Sequence, residues 1–184
     1  MKVEAWIEVF KIENGKKIVI KRRKARSFVK AFIGLLNVQM AGASRSIIDT
    51  GGTSRSISNS SYNFQVTAGA GTSAYGIQVG TGTNPVTIDD YKLQSQIAHG
   101  TGAGQLQYGA TSVDAYAVSS GKAFFNVQRL FTNNSGGDIT VKEIGLVSCI
   151  GGTSYYGLLD RTLMEFTIPN GGTRGVSYEI RVTV

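Results

Sequence analysis

The stretch from Phe124 to Val147, FFNVQRLFTNNSGGDITVKEIGLV, constrains the fold more than any other. Its period-2 alternation puts Phe125, Val127, Arg129 and Phe131 on one face of a strand and Phe124, Asn126, Gln128 and Leu130 on the other. Asn133-Asn134-Ser135-Gly136-Gly137-Asp138 then gathers turn residues: glycine accepts positive φ, and Asn or Asp side chains bond nearby backbone. Ile139, Val141 and Glu143 alternate with Thr140, Lys142 and Ile144 on the return. The pattern predicts an antiparallel hairpin with further sheet built around it.

The amino terminus carries a second hairpin signal. Val3, Ala5, Ile7 and Val9 oppose Glu4, Trp6, Glu8 and Phe10, Asn14-Gly15 suits a two-residue turn, and Lys17 to Arg22 returns. Ser27 then has the hydroxyl of a helix N-cap. Phe28, Phe32, Leu35, Leu36 and Met40 follow at helical spacing, with Gly42 at the stop, which predicts one helix over 28–41. Its apolar stripe, Phe28, Phe32, Leu35 and Leu36, must cover the sheet or a neighbouring subunit.

From Ala43 to Ser61 the chain is Ser, Thr, Gly and Arg with only Ile47, Ile48 and Ile57 as anchors, which predicts an extended loop or arm. Short strands are expected at Asn63–Ala68, Tyr75–Gly80, Val86–Ile88, Gln105–Tyr108, Tyr155–Asp160, Leu163–Ile168 and Val176–Val184. The expected fold is therefore all-β, an antiparallel sandwich or jelly-roll-like body with an N-terminal β-hairpin and one short α-helix. A chain of 184 residues reads as one domain: a basic hairpin plus helix over 1–42, the arm over 43–61 and the sandwich over 62–184.

Charge is unevenly placed. Residues 1–30 hold ten Lys/Arg against three Glu, while the remaining nine basic and nine acidic residues cancel, so the net +7 belongs to the first segment. Lys16, Lys17, Lys21, Arg22, Arg23, Lys24, Arg26 and Lys30 form the run. It is either a solvated face or a positive surface for nucleic acid or an acidic protein. Aromatic platforms are not interleaved with it, which argues against base stacking. Glu4 and Glu8 inside the apolar start oppose an ordinary secretory signal, and no apolar run is long enough to span a membrane.

Candidate chemistry is sparse. Asp49-Thr50-Gly51 resembles the Asp-Thr-Gly of aspartic proteases, whose two aspartates share a proton, so one copy per chain would require a homodimer. In Gly157-Leu158-Leu159-Asp160-Arg161 the glycine precedes the apolar pair, against that family's order. Gly100, Gly102 and Gly104 lack the spacing and the following helix of a phosphate loop, and Gly121-Lys122 lacks the rest of a Walker motif. His99 is the single histidine and has no nucleophile elbow beside it. Asp89 and Asp90 lack the spaced oxygen ligands of a calcium loop. Asn59-Ser60-Ser61 and Asn133-Asn134-Ser135 fit the glycosylation pattern. Cys149, alone in an apolar strand, reads as a small buried hydrophobe. No residue set points to a catalytic, cofactor or metal site.

Three segments carry a resemblance. Val79 to Leu93 follows a V-G-T-G-T…D-Y-x-L pattern, Phe131 to Leu146 an F-T-N-x-S-G…I-T-V-x-E-I-G-L pattern, and Asp160–Val184 an Asp-Arg, apolar strand, Gly turn and final strand. Together with the Ser27-Phe28-Val29-Lys30 start of the helix, they resemble structural proteins of tailed bacteriophages and related viruses. The resemblance implies a non-enzymatic virion component: a head decoration or minor capsid protein, or else a tail, baseplate or fibre-anchoring module. It also implies copies of itself and other virion proteins as partners. For the basic face, an acidic shell protein or packaged DNA is the expected contact.

Overall fold

The structure is a computed structural model and describes residues 2–25 and 28–183. β1 (Lys2–Glu13) and β2 (Lys16–Ala25) form the expected hairpin, with φ positive at both Asn14 (51°) and Gly15 (74°). That backbone matches the twist of the flanking strands and explains the Asn-Gly pair. Helix α1 (Lys30–Ala41) follows, two residues shorter than predicted. The predicted cap, Ser27, lies outside the described residues, and the N-cap position belongs to Val29, which has no side chain able to cap. Tertiary contacts supply acceptors instead, since Val29 N–H donates to Leu159 and Lys30 N–H to Ile88. At the other end Gly42 takes the left-handed conformation (φ 62°) and returns its N–H to Val38, as the sequence predicts.

The remaining elements are β3 (Arg45–Ile48), β4 (Ser54–Ile57), β5 (Gly76–Gly80), β6 (Gln107–Val113), β7 (Ala117–Ser119), β8 (Lys122–Thr132), β9 (Ile139–Cys149), β10 (Tyr156–Ile168) and β11 (Thr173–Thr183). One antiparallel sheet runs β2-β1-β11-β8-β6, with β7 pairing β8. A second runs β10-β9-β5, and β3-β4 is a small hairpin of its own. Buried residues of both sheets and of α1 form one apolar core, including Ile7, Val127, Phe131, Tyr178, Ile77, Leu146 and Leu35. The all-β class with one short helix is thus the fold of the chain.

The central hairpin is a correction. β8 and β9 do not pair: β8 lies between β11 and β6, and β9 lies between β10 and β5 in the other sheet. Residues 133–138 arch from one sheet to the other. Asn133 is fully buried and fixes that arch. Its Nδ2 donates to the carbonyls of Gly137 and Ile168, both at 2.8 Å, and its Oδ1 accepts from Ser135 N–H and Oγ–H at 3.0 and 2.7 Å. Its backbone also bonds Gly171 and Gly172 in the second arch, between β10 and β11. Turn residues serve hairpins and arches alike, so composition could not separate the two.

The 43–61 stretch is also not an extended arm. β3 and β4 pair from Arg45↔Ile57 to Ile48↔Ser54, and Ile47 and Ile57 enter the core. Two apolar anchors suffice because α1 lies against β3, with Ile47 packed beside Gly34. Residues 63–68 are irregular instead of a strand, because they bond to two different elements: Cys149 N–H donates to Gln65 and Thr111 N–H to Ala68. Val86–Ile88 is loop, β6 extends well past Tyr108, and β7 had no counterpart in the sequence reading. The two strands expected at Tyr155–Asp160 and Leu163–Ile168 are one, β10, with irregularities at Leu158/Asp160 and Leu163/Phe166.

Candidate functional site

The three segments of the resemblance meet in space. Glu143 of β9 and Arg161 of β10 lie on the face of the second sheet that the 81–96 segment covers. Arg161 Nε donates to Glu143 Oε2 at 2.7 Å, its second nitrogen to Asp90 Oδ2 at 2.9 Å, and its third to the Asn84 carbonyl at 3.2 Å. Glu143 Oε1 accepts the backbone N–H groups of Gly82 (3.0 Å) and Ser95 (2.7 Å), and Oε2 that of Gln94 (3.1 Å). Burial lowers the Arg161 pKa, but Glu143 and Asp90 outweigh it and hold the guanidinium above its ordinary value.

The glycines of these segments are clearances for the same cluster. A Cβ on Gly80 would stand 2.5 Å from the Ser95 carbonyl and 2.6 Å from Glu143 Oε1, and one on Gly82 would collide with Glu143 and Gln94. A Cβ on Gly145 would lie 2.8 Å from the Leu93 side chain. Asp160, next to Arg161, faces the opposite side of its strand by alternation. There it accepts from Tyr178 Oη–H and Thr162 Oγ1–H, both at 3.0 Å, which links the two sheets. Burial first, and the Asp160 carboxylate second, push the Tyr178 phenol far up. The Glu143 and Arg161 contacts fasten the 81–96 loop to the second sheet.

Arg129, on β8, is a second buried cation. It has no carboxylate partner among the described residues and donates instead to the carbonyls of Gly109, Tyr75, Ile77, Gly69 and Thr72, with the Tyr108 ring 4.8 Å away. Burial lowers its pKa to about 10. It gathers the glycine-rich 69–77 segment onto the first sheet. The sequence signal for both clusters was present: Arg129 and Glu143 are charged residues in apolar strand patterns.

The basic run divides. Arg22 pairs with Glu8 (3.3 Å) and approaches Glu179, Lys17 pairs with Glu8 (3.0 Å), Lys24 with Glu4, and Lys30 with Asp89 (2.7 Å). Arg22 and Arg181 stand 4.8 and 4.9 Å from the Trp6 ring, one cation on each neighbouring strand. Lys21 and Arg23 donate to backbone carbonyls of β10, those of Glu165 and Leu163. Lys16 has no carboxylate partner among the described residues, and Arg26 lies outside them. The fold therefore brings Glu4, Glu8, Glu179 and Asp89 to a run that has no acid within it.

The helix residues divide as well. Leu35 is fully buried in the core, and Phe28 and Phe32 stack at 4.3 Å and pack on that core beside Phe64. Only Leu36 of the predicted stripe is exposed, alongside Ile33 and Met40.

Asp49 occupies the β3–β4 turn. Its Oδ1 accepts from Gly51 and Thr53 N–H, and its Oδ2 from Arg55 Nε at 2.7 Å. Burial raises its pKa, but Arg55 and the two N–H donors outweigh that and hold it below the usual carboxylate range. A group held ionised in this way is a poor member of a proton-sharing dyad. His99 Nδ1 accepts the Tyr108 N–H, Gln105 fills the loop of Gly100 and Gly102, and Asn133 is buried and therefore out of reach of a glycan. Asp89 and Asp90 are ion-paired as described, and among the described residues no cluster of His, Cys, Asp and Glu could hold a metal ion. Burial pushes the Cys149 thiol up. No helix among the described residues is long and apolar enough to cross a membrane. Compared with models of protein families, with curated proteins and with solved structures, the chain matches none.

Proposed function

We propose that the chain is a non-enzymatic structural component of a virus particle, a head decoration or minor capsid subunit that contacts copies of itself and other virion proteins. The observation that supports this reading is the convergence of three sequence-distant motifs on one buried device. Gly80, Gly82, Asp90 and Leu93 come from the first motif, Glu143 and Gly145 from the second, and Arg161 from the third. Residues that fit one another in one device are what a single shared architecture would require of all three segments. A fold-level likeness carries no chemistry by itself, and the residues of the device supply none. The basic face is assigned to an acidic shell protein or packaged DNA, with attachment weakened by salt.

Mass spectrometry of purified particles from the source of the chain, with labelled antibody to place it, tests the proposal. Head labelling at high copy number is the expected result. Tail labelling would move the assignment to a tail, baseplate or fibre-anchoring module, and absence from particles would overturn it. Peptide hydrolysis lost on Asp49→Asn would overturn the non-enzymatic assignment.

A further inference from the structure

Three of the four long sheet edges in this fold are covered. The β5 edge is closed by 95–97, with Ile97 N–H donating to Val79 and Thr81 N–H to Ser95. The β6 edge receives 68–71 through Thr111 N–H to Ala68 and Gly71 N–H to Tyr108. The β10 edge is met by Phe28, which bridges Asp160, and by Lys21 and Arg23, which donate to Glu165 and Leu163. The fourth edge, β2, pairs only with β1, and among the described residues no backbone group bonds its outer side.

Open edges are ordinarily blunted by shortness, proline, a β-bulge or charged side chains, lysine above all, and β2 uses the last two: it has six Lys/Arg and an extra residue at Ile20, where its register on β1 shifts. β2 has ten residues, no proline, and three consecutive β-branched side chains at its middle: Ile18, Val19 and Ile20 are 39, 45 and 48% exposed. Cations flank that trio, Lys16 and Lys17 on one side and Lys21 to Lys24 on the other. In an antiparallel ladder every second residue turns its N–H and C=O away from its partner strand, so this edge presents outward donors and acceptors on either side of the bulge at Ile20.

We propose that the β2 edge is a docking site for an extended acidic segment of another protein, added as a further strand with aliphatic residues at its centre and Asp or Glu on both flanks. Charge selects this occupant. A second copy of β2 laid antiparallel would set Lys16 and Lys17 against the Lys21–Lys24 block, and laid parallel in register it would set each cation on itself. Like charges directly opposite destabilise a strand pair. Of the carboxylates already present, Glu4 and Glu179 also serve Arg181 and Glu179 serves Lys122, while among the described residues Lys16 has no carboxylate partner and Lys21 and Arg23 meet only carbonyls of β10. Main-chain bonds would give the affinity, and the cations would fix the sign of the partner. This site goes beyond the particle assignment and is tested on the isolated chain, so the two fail separately.

The probe is a synthetic peptide with a Val-Ile-Val centre flanked on both sides by paired glutamates. Anisotropy reads its binding, and amide exchange reads protection along β2. Binding with slowed exchange between Lys16 and Lys24 is expected. A peptide of equal charge with proline at its centre should bind at least about tenfold more weakly. The double variant Lys16→Glu, Lys21→Glu should reverse the preference to a lysine-flanked peptide, and Val19→Pro should abolish binding. Equal binding of the proline peptide would reduce the interaction to charge alone and overturn strand addition. Tighter binding of duplex DNA than of the peptide, or a self-associated chain from which the peptide is excluded, would overturn the choice of partner.

Discussion

Glu143 Oε2 lies 2.7 Å from Arg161 Nε, and the two side chains are 0 and 2% exposed. Each oxygen of Glu143 also accepts backbone N–H groups of the covering segment, so neither charge is left to desolvation alone. Such a pair is weak evidence of net stability against an apolar replacement, yet removing one partner strands the other. Glu143→Gln and Arg161→Met are each expected to destabilise the chain by about 3–5 kcal/mol in urea unfolding. The double variant should cost less than the two together, because their partners are shared. Additive losses would mean that the two residues act independently.

Gly82 tests the same cluster from the loop side. Its missing Cβ leaves room for Glu143 Oε1 and for Gln94 Cβ, which would otherwise lie 2.5 Å away. Gly82→Ala should therefore lower stability by about 1–3 kcal/mol, as overpacking does. The same change at Gly104 meets nothing within 4 Å and differs only by backbone strain at φ 74°, which makes it a control for strain without collision. A Gly82→Ala chain as stable as the parent would show that the cluster does not press on Gly82.

Alternation and turn chemistry made much of this fold legible. The Asn14-Gly15 hairpin and the Gly42 stop follow from local residues, because local backbone conformation decides them. The arch at Asn133 was not legible, because the same turn residues close a hairpin or cross between sheets, and only the distant carbonyl of Ile168 decides. β3 and β4 were hidden for a similar reason: their polar faces look like loop until α1 supplies the surface for Ile47. The candidate site was half legible. Glycines, Asp90, Glu143 and Arg161 stood out as motif residues, but nothing local says that Glu143 of one motif bonds the backbone of another. The charge run is plain in the sequence, whereas the carboxylates that meet it come from β1, β11 and the loop at Asp89.

Alkaline pH should attack the core through its phenols. Burial pushes Tyr108 up to about 12, and burial with the Asp160 carboxylate pushes Tyr178 well above the ordinary phenol value. Both are held neutral in the folded chain, so their contribution is complete below ~pH 10, the ordinary phenol pKa, and is lost as pH rises beyond it. Phenolate absorbance should rise in two phases, with Tyr108 and Tyr178 ionising only as the chain unfolds. Tyr178→Phe should show a shallower loss of stability above that pH. Ionisation of all eight tyrosines in one phase, with the chain still folded, would contradict the assignment.

Acid should act on the outer face of the first sheet, at Glu4. The Lys24 ammonium, then the Trp6 indole N–H at 3.2 Å, hold the Glu4 carboxyl down to about 2, with Arg181 adding a third donor at 3.3 Å. A folded pKa below the unfolded value means that the unfolded chain binds the proton more readily. Stability from Glu4 is thus complete above ~pH 4.3, the ordinary glutamate value, and is lost as pH falls toward 2. Other carboxylates, Asp49 among them, titrate in the same direction, so the informative quantity is the difference between variants. Glu4→Gln should be less stable than the parent at neutral pH, fall less steeply between those two pH values, and converge on the parent at the acid end. Parallel melting-temperature curves across that window would show that the Lys24, Trp6 and Arg181 contacts do not hold Glu4 ionised in the folded chain.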